Sequence, residues 1–394
     1  MQVTGTEMKG TLAARWHLGF GMMRLPVLQG EPTNFDYAQL NRMVDKFLAE
    51  GFTYFDTSYV YHNGKSEEAT RKAVVERYPR TAFTVATKFP TFGITSEDEV
   101  EPIFAQQLKN LGVDYIDYYL LHNIQTVYYD GIDGRGGIVK TAHLFEHAKQ
   151  WQAQGKIKHL GFSFHSSAQL LDRVLTEHPE VEFVQIALNY VDWHSELVQA
   201  KECYEVIRKH GRQVIIMETV KGGGLAKLPP AAEKLLLDRQ PQQSISSWAL
   251  RFAANLEGVL AVLSGMSTLA QVEDNCRVMK TAAPLAADEE KLLWQAEALY
   301  RASGPLGTAD LSKYAGLKYH GVPVSAILQA WNICQIQPNP GFSDDNNYYK
   351  NAVAAALHAD IHGKLPAEKV ILQDGTDITD QVREAEKWLI AHSF

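Results

Sequence analysis

Short apolar runs rich in β-branched and aromatic residues alternate with longer segments of helical period from residue 18 to about residue 280. That alternation builds a parallel sheet with crossover helices and excludes most other architectures. The strands it predicts are Leu18–Gly21, Thr53–Asp56, Thr84–Thr87, Ile116–Leu121, Leu160–Phe164, Val184–Leu188, Val214–Met217 and Val259–Leu263. Between them, Tyr37–Glu50, Ser66–Arg77 and Glu97–Leu111 carry the 3.6-residue spacing of helices that each cover a strand. Eight such units over roughly 280 residues match the size of a (β/α)₈ TIM barrel, an α/β fold. A doubly wound open sheet is the alternative, weakened because no G-x-G-x-x-G turn follows an early strand.

After about residue 295 the pattern changes to turn-rich sequence, a polar loop (QIQPNPGFSDDNNYYK) and an apolar helix-like stretch, AVAAALHADI. The predicted organisation is a barrel over residues 1–295 and an appended helical region over residues 296–394. The formal charge of −8 comes without a dense Lys/Arg run, which argues against a polyanionic partner such as nucleic acid. No apolar stretch approaches membrane-spanning length and the first residues lack the order of a secretory signal, so a cytoplasmic protein is expected. Cys203, Cys276 and Cys334 are too few and too far apart for a disulfide framework or a zinc site.

In a parallel barrel, polar side chains at the C-terminal ends of strands converge on one mouth. Three strand ends are informative: FDTSYVY places Asp56 there with Tyr61 five positions on, TVATKFP supplies Lys88, and YYLLHN supplies His122 at the rim. Each has an ordinary structural explanation when taken singly: a helix cap, a packed ring, a solvated amine, a backbone hydrogen bond. Together they make coherent chemistry. A Lys88 ammonium held by Asp56 favours the Tyr61 phenolate and makes its proton transferable, while His122 orients or polarises a carbonyl oxygen. The segment METVKGGGL offers successive glycines whose backbone N–H groups approach phosphate oxygens closely, with Lys221 adding charge.

At this point the chain resembles the aldo-keto reductase superfamily over residues 15–280. The resemblance is carried by GFGMMRLP, FDTSYVYHNGKSEE, TVATKFP, YYLLHN, GKIKHLGFSFHSS, VQIALNY, IIMETVKGGGL and LSGMSTLAQVEDN, in the family's order. It implies hydride transfer between a nicotinamide dinucleotide and a carbonyl or alcohol. Tyr61 resembles the general acid, Lys88 and Asp56 its tuners, and His122 the carbonyl orienter. Ser163 and Gln185, with Asn189 nearby, are similar to residues that cradle nicotinamide. Met217, Glu218, Lys221, Gly222 and Gly223 would border the pyrophosphate, and Gly265, Ser267, Gln271, Asp274 and Asn275 the adenosine phosphate.

Two departures refine that expectation. Residues 264–275 contain no basic side chain to grip a 2′-phosphate, although Arg277 lies close by, and family usage places NADP(H) ahead of NAD(H). The wording also looks closest to bacterial members with a C-terminal ferredoxin-like module, yet the corresponding stretch here offers one cysteine. An iron–sulfur cluster takes four thiolates, so a clusterless tail is predicted.

Substrate preference is expected in mouth loops, where Tyr128, Tyr129 and Arg135, and further on Asp192, Trp193 and His194, suit a hydroxylated molecule such as a sugar or related polyol. The rival readings are a redox-neutral epimerase or lyase that keeps its dinucleotide, a non-catalytic nicotinamide-sensing subunit, and an unrelated metal-dependent sugar isomerase. Lys88 among the candidate ligands would repel the cation that the last requires. Oligomeric state is left open by the sequence.

Overall fold

A computed structural model of the chain describes residues 18–131, 136–281, 283–336, 348–353 and 368–392. Eight parallel strands close into a barrel in sequence order: β1 (Leu18–Gly21), β2 (Tyr54–Asp56), β3 (Thr84–Pro90), β4 (Ile116–Ile124), β5 (Ile157–Phe164), β6 (Phe183–Ala187), β7 (Gln213–Met217) and β8 (Val259–Gly265). Closure comes from β1 pairing with β8, with Gly21 opposite Gly265. Every expected strand is present, and the open sheet is excluded. β3 runs three residues further than its apolar run because the polar Lys88 continues the ladder, opposite Leu120 of β4.

The surrounding helices follow from local chemistry. Tyr37–Ala49 is capped by Asp36, whose carboxylate accepts from the Gln39 backbone N–H, and it buries Leu40, Met43, Val44 and Phe47 at i, i+3, i+4 and i+7. Ala168–Glu177 is capped by Ser167 and buries Leu170, Leu171, Val174 and Leu175. Val100–Leu111 ends where Gly112 takes a left-handed conformation at φ 67°. The segment expected as one helix over 66–77 differs: it is α-helical over Ser66–Thr70 and then widens to a π-helix over Arg71–Val75.

Two apolar layers hold the barrel. A large one lies between strands and helices, and a smaller one, including Tyr54, Ala86, Tyr118, Phe183, Ile215 and Leu263, fills the lumen. Strand residues two apart share a face. Two positions beyond Tyr54, Ala86, Leu120, Phe183 and Ile215 therefore stand Asp56, Lys88, His122, Gln185 and Met217, which form the next layer up on the same inward face. Space for the large rings comes from small neighbours: a Cβ on Gly161 would stand 2.6 Å from the Phe183 ring and from its backbone oxygen.

Beyond the barrel, the helix Ala287–Ala302 runs across residue 295 and is followed by a second apolar cluster with members such as Tyr319, Val324, Leu328, Tyr349, Val382 and Leu389. The appended helices are present as expected, and a short hairpin accompanies them. Between the helices Ala287–Ala302 and Val324–Ile336 sits a two-stranded hairpin, β9 (Lys318–Tyr319) and β10 (Val322–Pro323). Its two-residue loop, His320–Gly321, has positive φ at both positions (49° and 78°), the backbone that such tight hairpins require. The last described helix is Thr379–Ala391. The expected helix at AVAAALHADI falls largely outside the described residues. No helix among the described residues is long and apolar enough to cross a membrane.

Gly161→Ala is expected to destabilise the barrel by about 2–3 kcal/mol, since both a packed ring and a strand carbonyl stand in the way; urea unfolding measures it, and a change below about 0.5 kcal/mol would mean the lumen is loosely packed.

Candidate active site

Lys88 is fully buried on the inward face of β3, where its ammonium meets Asp56 Oδ1 of β2 at 2.5 Å and the Thr57 carbonyl at 2.7 Å. Burial works against the charge, but Asp56 and Tyr61 hold the Lys88 pKa above the usual lysine range, so it stays an ammonium. The same nitrogen lies 4.7 Å from the centre of the Tyr61 ring and hydrogen-bonds Tyr61. The His122 ring stands edge-on to Tyr61 at 5.9 Å. Asp56, Tyr61, Lys88 and His122 are therefore brought together at one mouth.

The acidity of Tyr61 differs from expectation. Burial holds the phenol above its ordinary pKa, the Asp56 charge adds to that, and Lys88 and Arg24 only partly offset the rise. An unusually acidic phenol is not needed for reduction, because an alkoxide forming at a carbonyl is a far stronger base than a phenolate and takes the proton downhill.

His122 is kept neutral: burial, then the Lys88 charge, then His165 push its pKa well below the usual range. Ser58, which the sequence reading missed, decides its tautomer. The buried Ser58 hydroxyl accepts from the Val60 N–H at 3.5 Å, and His122 Nδ1, at 3.1 Å, is the one acceptor for its proton among the described residues, so Ser58 donates to Nδ1 and Nε2 carries the ring proton. A neutral imidazole with Nε2–H free is a donor to a carbonyl oxygen.

A second missed group stands behind Lys88. Glu67 is buried and accepts from Thr87 at 2.6 Å, from Gln107 at 2.9 Å and from Asn110 at 2.9 Å, while Gln107 also donates to the Lys88 carbonyl at 3.0 Å. This network fixes the strand segment that aims the ammonium.

Ser163 Oγ accepts from the Asn123 N–H at 2.9 Å and keeps its hydroxyl proton for another partner. Gln185 donates to the Met217 sulfur at 3.4 Å, while its buried Oε1 has no hydrogen-bond partner among the described residues. An orphaned buried acceptor beside a free hydroxyl donor suits a carboxamide, which offers one of each. After β7 the backbone turns left-handed at Glu218 and Lys221 (φ 59° and 47°) and again at Gly222 and Gly223, and nothing would meet a Cβ on Gly223 within 4 Å. Space is therefore open beside Gly223, while the N–H groups of Lys221 and Gly223 are donated within the loop, to the carbonyls of Glu218 at 2.8 Å and Val220 at 3.0 Å.

Lys221 itself is placed otherwise than expected. Its buried ammonium bonds Asp192 at 2.6 Å, and Asp192 also accepts from Asn189 at 2.8 Å. That charge braces the base of the loop, and Asp192 is consumed in the pair. Trp193 packs on Phe252 and Tyr204, His194 on Trp294, and the buried Tyr129 donates to Glu177 at 2.6 Å. Of the expected mouth aromatics, Tyr128 lies beside Phe92, whose ring is 5.4 Å from His122. Arg135 lies outside the described residues.

At the far end, Gln271 Oε1 accepts from the N–H groups of Ser267 and Thr268 at 2.7 and 3.1 Å, and Ser267 donates to the Arg24 carbonyl at 2.8 Å. Asn275 bonds Ser264 at 2.9 Å, and Asp274 pairs with Arg277 at 2.6 Å. A basic side chain from outside residues 264–275 lies at this end: Arg24, in the 3₁₀ turn Met22–Arg24 that follows β1, has its Nη1 3.3 Å from where a Cβ on Gly265 would stand. Among the described residues no three His, Cys, Asp or Glu side chains are grouped to hold a metal.

A closed parallel barrel with a buried Lys–Asp pair under a tyrosine and a neutral histidine beside it defines a proton-transfer site built for a carbonyl. A model of the aldo/keto reductase family matches residues 17–296, and the chain belongs to that family. An aldo-keto reductase of Mycolicibacterium vanbaalenii is 30% identical over 223 residues, covering 54% of this chain and 70% of that one. The L-galactose dehydrogenase of Arabidopsis thaliana is 24% identical over 262 residues, covering 61% and 78%. Among solved structures, the holo form of aldo-keto reductase AKR11C1 from Bacillus halodurans superposes with a TM-score of 0.55 at 24% identity, covering 71% of this chain and 91% of that one. An aldo/keto reductase from Klebsiella pneumoniae in complex with NADP and acetate gives 0.55 at 19% identity, covering 74% and 93%. These two likenesses show the fold. The protein is an NAD(P)-dependent oxidoreductase acting on carbonyl or alcohol substrates.

Because Tyr61 is protonated and His122 neutral across the physiological range, kcat/KM for carbonyl reduction is expected to be flat from about pH 6 to pH 9. Ser58→Ala, which frees the His122 tautomer, is expected to lower kcat about tenfold with little change in the far-UV spectrum. A rate limb near the ordinary histidine pKa in the parent protein would contradict the neutral assignment.

Proposed function

We propose that this chain reversibly reduces the carbonyl of a small polyhydroxylated molecule, a sugar or related polyol, with NADP(H) preferred to NAD(H). The observation that carries the reading is the buried Lys88–Asp56 pair set beneath Tyr61, with a neutral His122 alongside. When bound, the nicotinamide supplies the hydride to the carbonyl carbon in reduction or accepts it in oxidation. Tyr61 donates its phenolic proton to the oxygen in the first direction and recovers it in the second. Lys88 holds a fixed positive charge against the phenolate that donation leaves, and Asp56 keeps that charge in place. His122 Nε2–H orients the carbonyl oxygen.

Ser163 and Gln185 would hold the carboxamide, the glycine loop after β7 the pyrophosphate, and Ser267 with Gln271 the adenosine phosphate. Arg24, against Gly265, adds a positive charge on the dinucleotide's path and supports the phosphorylated cofactor. The sugar reading draws on the likeness to a plant L-galactose dehydrogenase. The extension over residues 296–394 is read as a clusterless remnant of a ferredoxin-like region, appended to a barrel over residues 1–295. The protein is assigned to the cytoplasm, without nucleic-acid or membrane partners.

Tyr61→Phe and Lys88→Met are each expected to lower kcat/KM by roughly 10²- to 10⁴-fold. In both, nicotinamide fluorescence should still report dinucleotide affinity within about threefold of the parent, with NADPH bound more tightly than NADH. Turnover undiminished in either variant would remove the assigned roles.

A further inference from the structure

One titratable group at the mouth has no part in the chemistry described so far. His165 directly follows β5, half-buried, two positions beyond Ser163, which is paired with the inward Gln185, so it continues the inward alternation at the mouth, where the Lys88 charge also reaches it. Its partners come from the far end of the chain. Tyr348 places its hydroxyl 2.9 Å from His165 Nδ1, and Asn351 donates to the His165 carbonyl at 3.2 Å. Thus the extension, 183 residues away in sequence, is built into the wall of the barrel mouth.

Hydrogen-bond accounting sets the proton on this ring. Tyr348 is buried, and burial followed by Glu218 and Asp192 keeps its phenol protonated. Its hydroxyl has one recorded partner among the described residues, His165 Nδ1. A proton on Nδ1 would leave the Tyr348 O–H buried without an acceptor, which is costly, so Tyr348 donates to Nδ1 and the ring carries Nε2–H. Nε2 has no hydrogen-bond partner among the described residues. His165 is neutral, with burial and the Lys88 charge pushing its pKa down to about 4. The mouth therefore holds two neutral imidazoles, each locked by a hydroxyl at Nδ1, Ser58 for His122 and Tyr348 for His165.

Resting on the carbonyl–alcohol reading above, we propose that His165 is a substrate-positioning residue. Its Nε2–H is offered to an oxygen on the carbon next to the reacting carbonyl, and Tyr348 of the extension locks the tautomer that makes this possible. The favoured substrate class is then an α-hydroxy aldehyde or α-hydroxy ketone, with His122 serving the carbonyl oxygen and His165 its neighbour.

The test compares glyceraldehyde with propionaldehyde, equal in carbon count but differing in the α- and β-hydroxyls, as the ratio of their kcat/KM values. His165→Leu is expected to lower that ratio at least about tenfold, mainly through the KM for glyceraldehyde, and His165→Asn, which keeps a donor, to restore part of it. Tyr348→Phe should lower the ratio too, with dinucleotide affinity by fluorescence unchanged in every variant. Independently of turnover, ¹⁵N–¹H correlation of the imidazoles in the free protein should show His165 as Nε2–H, and as a tautomer mixture in Tyr348→Phe. An unchanged ratio in both His165→Leu and Tyr348→Phe, or an Nδ1–H tautomer in the parent protein, would overturn the proposal. Failure of the parent protein to reduce either aldehyde with either dinucleotide would instead remove the carbonyl–alcohol reading on which it rests.

Discussion

The ion pair between Lys88 and Asp56 is the constraint around which the mouth is arranged. An amine with no solvent access remains charged only if a carboxylate is held against it, and breaking such a pair costs about 3–5 kcal/mol because the partner is stranded. The fold supplies what holds it. β2 and β3 are adjacent and parallel, so Asp56 and Lys88 sit in neighbouring inward positions, and the Thr57 carbonyl takes a second ammonium proton. Behind them Glu67, Thr87 and Gln107 form a polar layer that grips the backbone of β3. Tyr61 thus faces a positive charge that cannot swing away, and positional fixity of this kind is what lets a static charge act on a transition state.

Much of this architecture was legible in the chain. Strands buried on both faces read as unbroken apolar runs, and the eight that the pattern predicts are the eight that pair. The four reacting residues were legible because each stands at or just after a strand end, where barrel geometry forces convergence. What escaped notice depended on non-local contacts. Arg24 was invisible as a partner of Gly265 because only closure of β1 onto β8 makes them neighbours. Ser58 and Glu67 lay in plain sight within FDTSYVYHNGKSEE, but their roles follow from a tautomer and a network that spacing does not reveal. The direction of the Tyr61 shift was misjudged because burial, a property of the whole fold, outweighs the one charge that the sequence placed beside it.

Lys221 teaches a related lesson about charges in glycine-rich loops. Its position among Gly222, Gly223 and Gly224 reads as a phosphate ligand, whereas its left-handed backbone turns the side chain inward to Asp192. The loop is thereby anchored by an internal pair and by its own backbone hydrogen bonds, and it presents a fixed surface with open space at Gly223 instead of a flexible ammonium. A fixed surface loses less entropy on binding than one that must order a long side chain.

Tyr348 and Tyr349 are consecutive, yet they serve opposite sides of the molecule. The first reaches the barrel through His165, and the second is sunk in the extension's own apolar cluster, where its hydroxyl meets Glu386, itself bonded to His320 of the hairpin loop. A single peptide unit thus ties the mouth to the later-made part of the chain. During synthesis the barrel's strands emerge first, and the wall beside β5 is finished only when Tyr348 docks on His165, so the shape of the mouth is set by a segment made well after the reacting groups.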